Sequence, residues 1–181
     1  MALLAVLVLI ASTTAFLTAV VGLGVPVWSD TTNEVVETQQ TVTTHTYSGL
    51  WAQCTYKEIK VSENFICKSY IETDVEGYTS ALRASQAFSI LGTAMAATCV
   101  VLAVIKLCIL KNSTTIAKVL AVCAIIGAVF LFLSMIIYST KVLSDIKATF
   151  SGDSDLTAGF ALTIIAIALL IVVGIISCFV K

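Results

Sequence analysis

Apolar residues in this chain come in long unbroken runs rather than alternating or recurring on one helical face. Residues 1–29, 84–105, 119–140 and 156–180 carry no charged side chain. A helix needs about 20 residues to cross ~30 Å of hydrocarbon, so each run can span a bilayer once. The pattern predicts spans at about 4–27, 84–107, 117–140 and 157–180, joined by loops at 28–83, 108–116 and 141–156. The whole chain, 1–181, then forms one domain. Ala11 to Ala15 offers a small-residue setting for signal-peptide cleavage. However, the first uncharged run far exceeds the ~7–15 residues of a signal core, which favours a retained span.

The long loop has a different pattern. Thr31 to Tyr47 is crowded with threonine and valine, β-branched residues that fit a pleated surface. Alternation puts Val42, Thr44 and Thr46 on one face and Thr43, His45 and Tyr47 on the other. A second strand is expected from about Leu50 to Lys57 and a third around Ile59 to Val61. A turn at Ser62-Glu63-Asn64 then leads to a fourth strand from Phe65 to Tyr70. The midpoint between Cys54 and Cys67 lies at Lys60–Val61, ahead of those turn residues, so the hairpin register stays open. Helical spacing resumes from Tyr78, with Gly77 as the break.

Composition agrees with a membrane protein. Hydrophobic residues make up 59% of the chain and charged residues 12%, against ~25% charged in an average soluble domain. Charge also sets sidedness. The 106–118 gap holds Lys106, Lys111 and Lys118 and no acid, whereas every acid lies in the two gaps 30–83 and 141–155. The positive-inside rule puts 106–118 in the cytosol, so both termini are cytosolic and the acid-rich loops face outward. Asn112-Ser113-Thr114 fits the glycosylation pattern, but on this topology it stays unmodified.

Cys54 and Cys67 are the only cysteines in a loop, and that loop is expected in the oxidising compartment. A disulfide closing a loop of this size contributes on the order of 3 kcal/mol in the chain-entropy model. Cys99 and Cys123 read as small apolar residues within spans. Cys108 and Cys178 lie near cytosolic span ends, where S-palmitoylation is chemically accessible.

Small residues recur within the spans: Ala11, Ala15, Ala19 and Gly22 in the first, Gly92 and Ala96 in the second, Gly127 in the third. They allow close helix approach, either within one molecule or between copies. No span has an ionisable residue in its interior, which argues against a pump or coupled transporter. His45 is the only histidine. No phosphate loop, metal-ligand cluster or nucleophile–base pairing appears, so no enzyme, cofactor or metal is expected. The lysines at 106–118 read as a cytosolic flank and not as a nucleic-acid patch.

Trp28, then Gly49-Leu50-Trp51, then Cys54 and Cys67, resembles the signature of the claudin superfamily. That superfamily comprises claudins, peripheral myelin and epithelial membrane proteins, lens membrane proteins and AMPA-receptor auxiliary subunits. Pro26-Val27-Trp28 and Leu82-Arg83-Ala84-Ser85-Gln86-Ala87-Phe88 add to the likeness, with Arg83 in the place of the family's arginine. The resemblance implies a left-handed bundle of four transmembrane helices under a small extracellular antiparallel sheet drawn from both outer loops. Trp28, Gly49, Leu50 and Trp51 would sit where that sheet meets the membrane.

By this resemblance, the protein is a plasma-membrane protein at cell–cell contacts that forms or regulates a paracellular barrier or pore. Its partners would be other copies or related claudin-like proteins in the same and opposing membranes, together with membrane lipid. Glu63 and Lys68 are candidate charge-lining positions, Lys68 following the second cysteine. Phe150 is a candidate contact with the opposing cell. Two departures from claudins proper point to a modulatory subunit of the myelin or epithelial membrane type. The cysteine interval is longer than usual, and the chain stops at Cys178-Phe179-Val180-Lys181, which argues against a PDZ tether.

Overall fold

The computed structural model describes residues 2–37, 40–59, 62–70, 79–109, 113–144 and 153–179. Four helices, α1 (Ala2–Gly24), α2 (Thr79–Cys108), α3 (Thr114–Ile137) and α4 (Ala158–Phe179), are long and apolar enough to cross a membrane. α3 runs on through a π-helical turn, Tyr138–Val142. α1 ends just before Pro26, whose ring biases the preceding residue away from helical backbone. α3 opens on Ser113, whose hydroxyl accepts a hydrogen bond from the Ile116 N–H and so satisfies one free donor of the first turn.

The helices form a closed ring: α1 touches α2, α2 touches α3, α3 touches α4, and α4 returns to α1. Its core is made of small side chains, among them Ala15, Ala96, Cys99, Ala124 and Ala166, closed by Leu120, Leu131, Leu170 and Val173. The bulky aliphatics point outward; Ile10, Leu17, Val101, Val122 and Ile175 are all exposed. This is the reverse of a soluble bundle and suits lipid, where tight backbone approach replaces hydrophobic exclusion as the packing force. A side chain at Gly92 would meet Leu131 Cγ at 2.7 Å and the Gly127 carbonyl at 3.1 Å. Gly22 closely faces Gly159 and Thr163 in the same way. These small residues therefore serve contacts within the molecule. Ser85, Ser89 and Ser134 tie α2 to α3, with Oγ–Oγ distances of 2.9 and 2.6 Å to Ser134.

Five antiparallel strands form one sheet in the order β4-β3-β2-β1-β5. They are β1 (Ser29–Glu37), β2 (Gln40–Ser48), β3 (Ala52–Ile59), β4 (Ser62–Ser69) and β5 (Asp153–Leu156). β5 comes from the second loop, as the resemblance implied. Two details correct the sequence reading. The threonine-rich stretch is a hairpin of two strands, with Glu37 opposite Gln40. Ser62-Glu63-Asn64 belongs to a strand and not a turn, because Ile59 pairs with Ser62 and only residues 60 and 61 lie between them. The symmetric register around the two cysteines prevails over the turn propensity of Ser and Asn.

Candidate functional site

The residues that carried the family resemblance converge at the joint between sheet and bundle. Trp28 follows α1 directly and is 1% exposed. Its indole N–H donates to the Gly22 carbonyl at 2.7 Å. Its ring lies 5.0 Å from that of Tyr138 and 6.2 Å from that of Phe160. Its backbone joins three segments: the Trp28 N–H donates to Ser48 O, and Trp28 O accepts from the Thr157 N–H. Trp28 is therefore buried in protein on every side. Trp51 is only half-buried and donates its indole N–H to Leu23 O at 2.9 Å.

Gly49, Leu50 and Trp51 form the bend between β2 and β3. The Gly49 N–H donates to Ala52 O, and Leu50 is completely buried. Gln86 of α2 reaches up and donates to Leu50 O at 2.6 Å. Tyr138, at the start of the π-helical turn, donates its hydroxyl to Ser48 O at 2.9 Å and shares a 3.0 Å bond with Ser29 Oγ. α1, α2, α3 and α4 are thus each fastened to the sheet by at least one directed contact. The clamp sets how the sheet stands on the bundle.

Cys54 and Cys67 face each other in the β3–β4 ladder and are bonded. Because the bond closes a hairpin that lies away from the bundle core, Cys54→Ser and Cys67→Ser should be equally destabilising. The expected cost is on the order of 3 kcal/mol, with no further loss in the double variant. Thermal unfolding of the three purified variants measures this, and unequal single effects would refute the coupling.

The sheet has distinct faces. Ser29, Thr31, Thr46 and Ser48 are buried on one. On the other, Asp30 lies opposite Asp155 on β5 and opposite Tyr47 on β2. His45 Nδ1 is 3.2 Å from Thr32 Oγ1 and 3.8 Å from Asp30 Oδ1, and its ring stacks on Tyr47. Among the described residues no group of His, Cys, Asp and Glu could hold a metal ion.

Not all candidate residues meet. Lys68 pairs with Gln53, in line with Ser48 and Ser29, so it belongs to the opposite face from Asp30 and Asp155. Glu63 pairs with Glu58 at the far end of the hairpin. The structure therefore does not join Glu63 and Lys68 into one lining. Arg83 is exposed on the first turns of α2. Phe150 lies outside the described residues. Cys108 and Cys178 are exposed at the ends of α2 and α4 away from the sheet, and Cys99 is buried. Sequence reasoning missed Tyr138, Gln86 as a clamp and the serine cluster. The only signal was polar residues, Ser85 and Ser89 one turn apart and Ser134, inside otherwise apolar runs.

A four-helix membrane bundle carrying a clamped, disulfide-bonded sheet defines the class of protein. The chain matches the PMP-22/EMP/MP20/Claudin family over residues 1–177 and belongs to that family. No curated protein matches it significantly.

Proposed function

We propose that the protein acts at cell–cell contacts as a claudin-type junction protein that controls passage between cells through its outer sheet. Its termini and the α2–α3 connection lie in the cytosol, the sheet lies outside, and the chain performs no catalysis. Copies associate side by side in one membrane and meet counterparts on the neighbouring cell. The observation that carries this reading is the sheet's open face, which presents Asp30 beside Asp155 on adjoining strands. Charged residues of the crossing helices are confined to their ends, at Arg83, Lys106, Lys118 and Lys141. Selective passage through the molecule therefore has little support, and passage along the outer face has more. Cys108 and Cys178 are accessible for S-acylation on the cytosolic side.

A unit charge ~8 Å from a passing ion in water contributes about 0.5 kcal/mol, roughly a twofold bias. Replacing Asp30 and Asp155 with asparagine should accordingly lower the sodium-to-chloride permeability ratio of expressing monolayers at least twofold, with surface level unchanged. The reading itself is tested in epithelial cells that lack junction strands. Expression should produce freeze-fracture strands at cell contacts and a changed transepithelial resistance.

One observation favours a second reading. Phe65 and Ile66, on edge strand β4, are 64% and 58% exposed outside the bundle. An exposed apolar pair at a sheet edge suits a docking contact with another membrane protein, as for a modulatory subunit of a channel, receptor or adhesion complex. Diffuse surface label with unchanged resistance would replace the junction reading with this one.

A further inference from the structure

His45, the only histidine in the chain, lies beside Asp30 on the open face of the sheet. Thr32 stands directly opposite it on β1, and Asp30 one diagonal step away. The imidazole is nearly parallel to the ring of Tyr47, at an interplanar angle of 12°. Its Nδ1 is 3.2 Å from Thr32 Oγ1 and 3.8 Å from Asp30 Oδ1. That carboxylate oxygen is buried and accepts no hydrogen bond among the described residues. The His45 and Asp30 side chains are 30% and 27% exposed, so solvent screens the pair only in part.

The surroundings are acidic. Asp155 of β5 lies directly beyond Asp30. Register carries Glu34 of β1, Glu58 of β3, Glu63 of β4 and Asp153 of β5 to positions of the same face. On β3, Tyr56 is directly opposite His45. Lys57 and Lys68 take the alternate positions and belong to the other face. Among the described residues of the sheet, His45 is therefore the one group on this face able to carry positive charge.

Imidazole is the side chain whose charge ordinarily changes between pH 5 and 8, a range in which exposed carboxylates stay ionised. When neutral, its Nδ1 can accept from the Thr32 hydroxyl; when protonated, both ring nitrogens donate. Asp30 Oδ1 is already in place to receive that donor. A small rotation of the ring turns the 3.8 Å contact into a charge-assisted hydrogen bond.

We propose that His45 is a proton-operated counter-ion of Asp30. At neutral pH it leaves Asp30 and Asp155 to present their negative charge; on acidification it pairs with Asp30 and cancels one of the two. Resting on the junction reading above, this device weakens the preference of the outer face for cations when the space between cells turns acidic.

The test has two arms, and the first is independent of junctions. The full chain, with 13C-labelled aspartate and histidine, is titrated by NMR in nanodiscs from pH 8 to 5.5, and Asp30→Asn assigns the Asp30 carboxyl signal. That signal and the His45 ring signal should move along one common curve, and the Asp30 movement should vanish in His45→Gln. An Asp30 signal that stays still while the ring titrates would overturn the pairing. So would a movement that persists in His45→Gln.

The second arm compares expressing with untransfected monolayers at the same two pH values. Wild type should lose about twofold in sodium-to-chloride permeability ratio at pH 5.5, the effect of one unit charge ~8 Å away. His45→Gln should hold one ratio at both pH values, and His45→Lys should show the acid ratio at both. A ratio that falls in His45→Gln as it does in wild type would overturn the switch. Monolayers without strands or changed resistance would overturn the junction reading instead, and the first arm alone would then decide the pairing.

Discussion

Replacing Trp28 with alanine is expected to cost about 3–5 kcal/mol of stability and to keep most of the protein from the cell surface. The magnitude follows from what the indole holds. It is the largest fully buried side chain in the molecule's described part, in a cluster with Leu50, Leu82, Tyr138 and Val142. Gly159, at the start of α4, is shaped around it: a side chain there would lie 2.6 Å from Trp28 Cδ1. Alanine leaves a cavity bounded by rigid backbone, and such sites collapse poorly. It also strands the Gly22 carbonyl, which accepts the indole N–H at 2.7 Å.

Trp28→Phe separates the two contributions. It keeps an aromatic ring against Tyr138 and Phe160 but loses the donor, and should cost about 1–3 kcal/mol. Thermal unfolding in detergent, with surface biotinylation in cells, gives both readouts. An alanine variant as stable as wild type would show that the sheet does not depend on this clamp.

The elements visible in the sequence were those set by local chemistry. A run without charge can be read from residues 119–140 alone, because the energetic demand of hydrocarbon falls on each residue separately. The Cys54–Cys67 pairing was legible for a similar reason, since only those two cysteines shared a loop expected in an oxidising compartment. The break between β1 and β2 was not legible. Thr38 and Gln39, the residues between Glu37 and Gln40, carry no Gly, Asn or Pro signal, so the stretch reads as one strand.

The clamp was legible in part. Trp28 and Gly49-Leu50-Trp51 stood out by spacing, but their partners did not. Tyr138 is 90 residues from Ser48 and 109 from Ser29, and no periodicity connects them. Lys106 fell within the predicted span 84–107, but charge counting does not show which way a lysine at a span end faces. α2 runs to Cys108, and Lys106 on its last turn is buried. The joint thus combines a sequence-visible half with a half that only tertiary packing reveals, and the glycine of the visible half is where the two can be tested together.

Gly49→Ala is the second large effect expected. A methyl group at Gly49 would sit 2.6 Å from Pro26 Cα and 2.8 Å from the Pro26 carbonyl carbon. Favourable carbon–carbon contact needs ~3.5–4.0 Å. Both obstructing atoms are backbone, so relief requires moving the segment that joins α1 to Trp28. The Gly49 N–H bond to Ala52 O holds the bend in place from the other side. Overpacking against rigid neighbours costs typically about 1–3 kcal/mol, and displacement of Trp28 would raise it toward the upper end. Gly24→Ala provides the control, since nothing lies within 4 Å of a side chain there. It should stay within about 0.5 kcal/mol of wild type. The two variants add the same single methyl group to residues at the same joint, so thermal midpoints compared side by side isolate the close approach. Equal loss in both would mean that glycine acts through chain flexibility there. Loss confined to Gly49→Ala would place the requirement for glycine in the GLW bend on the backbone of Pro26.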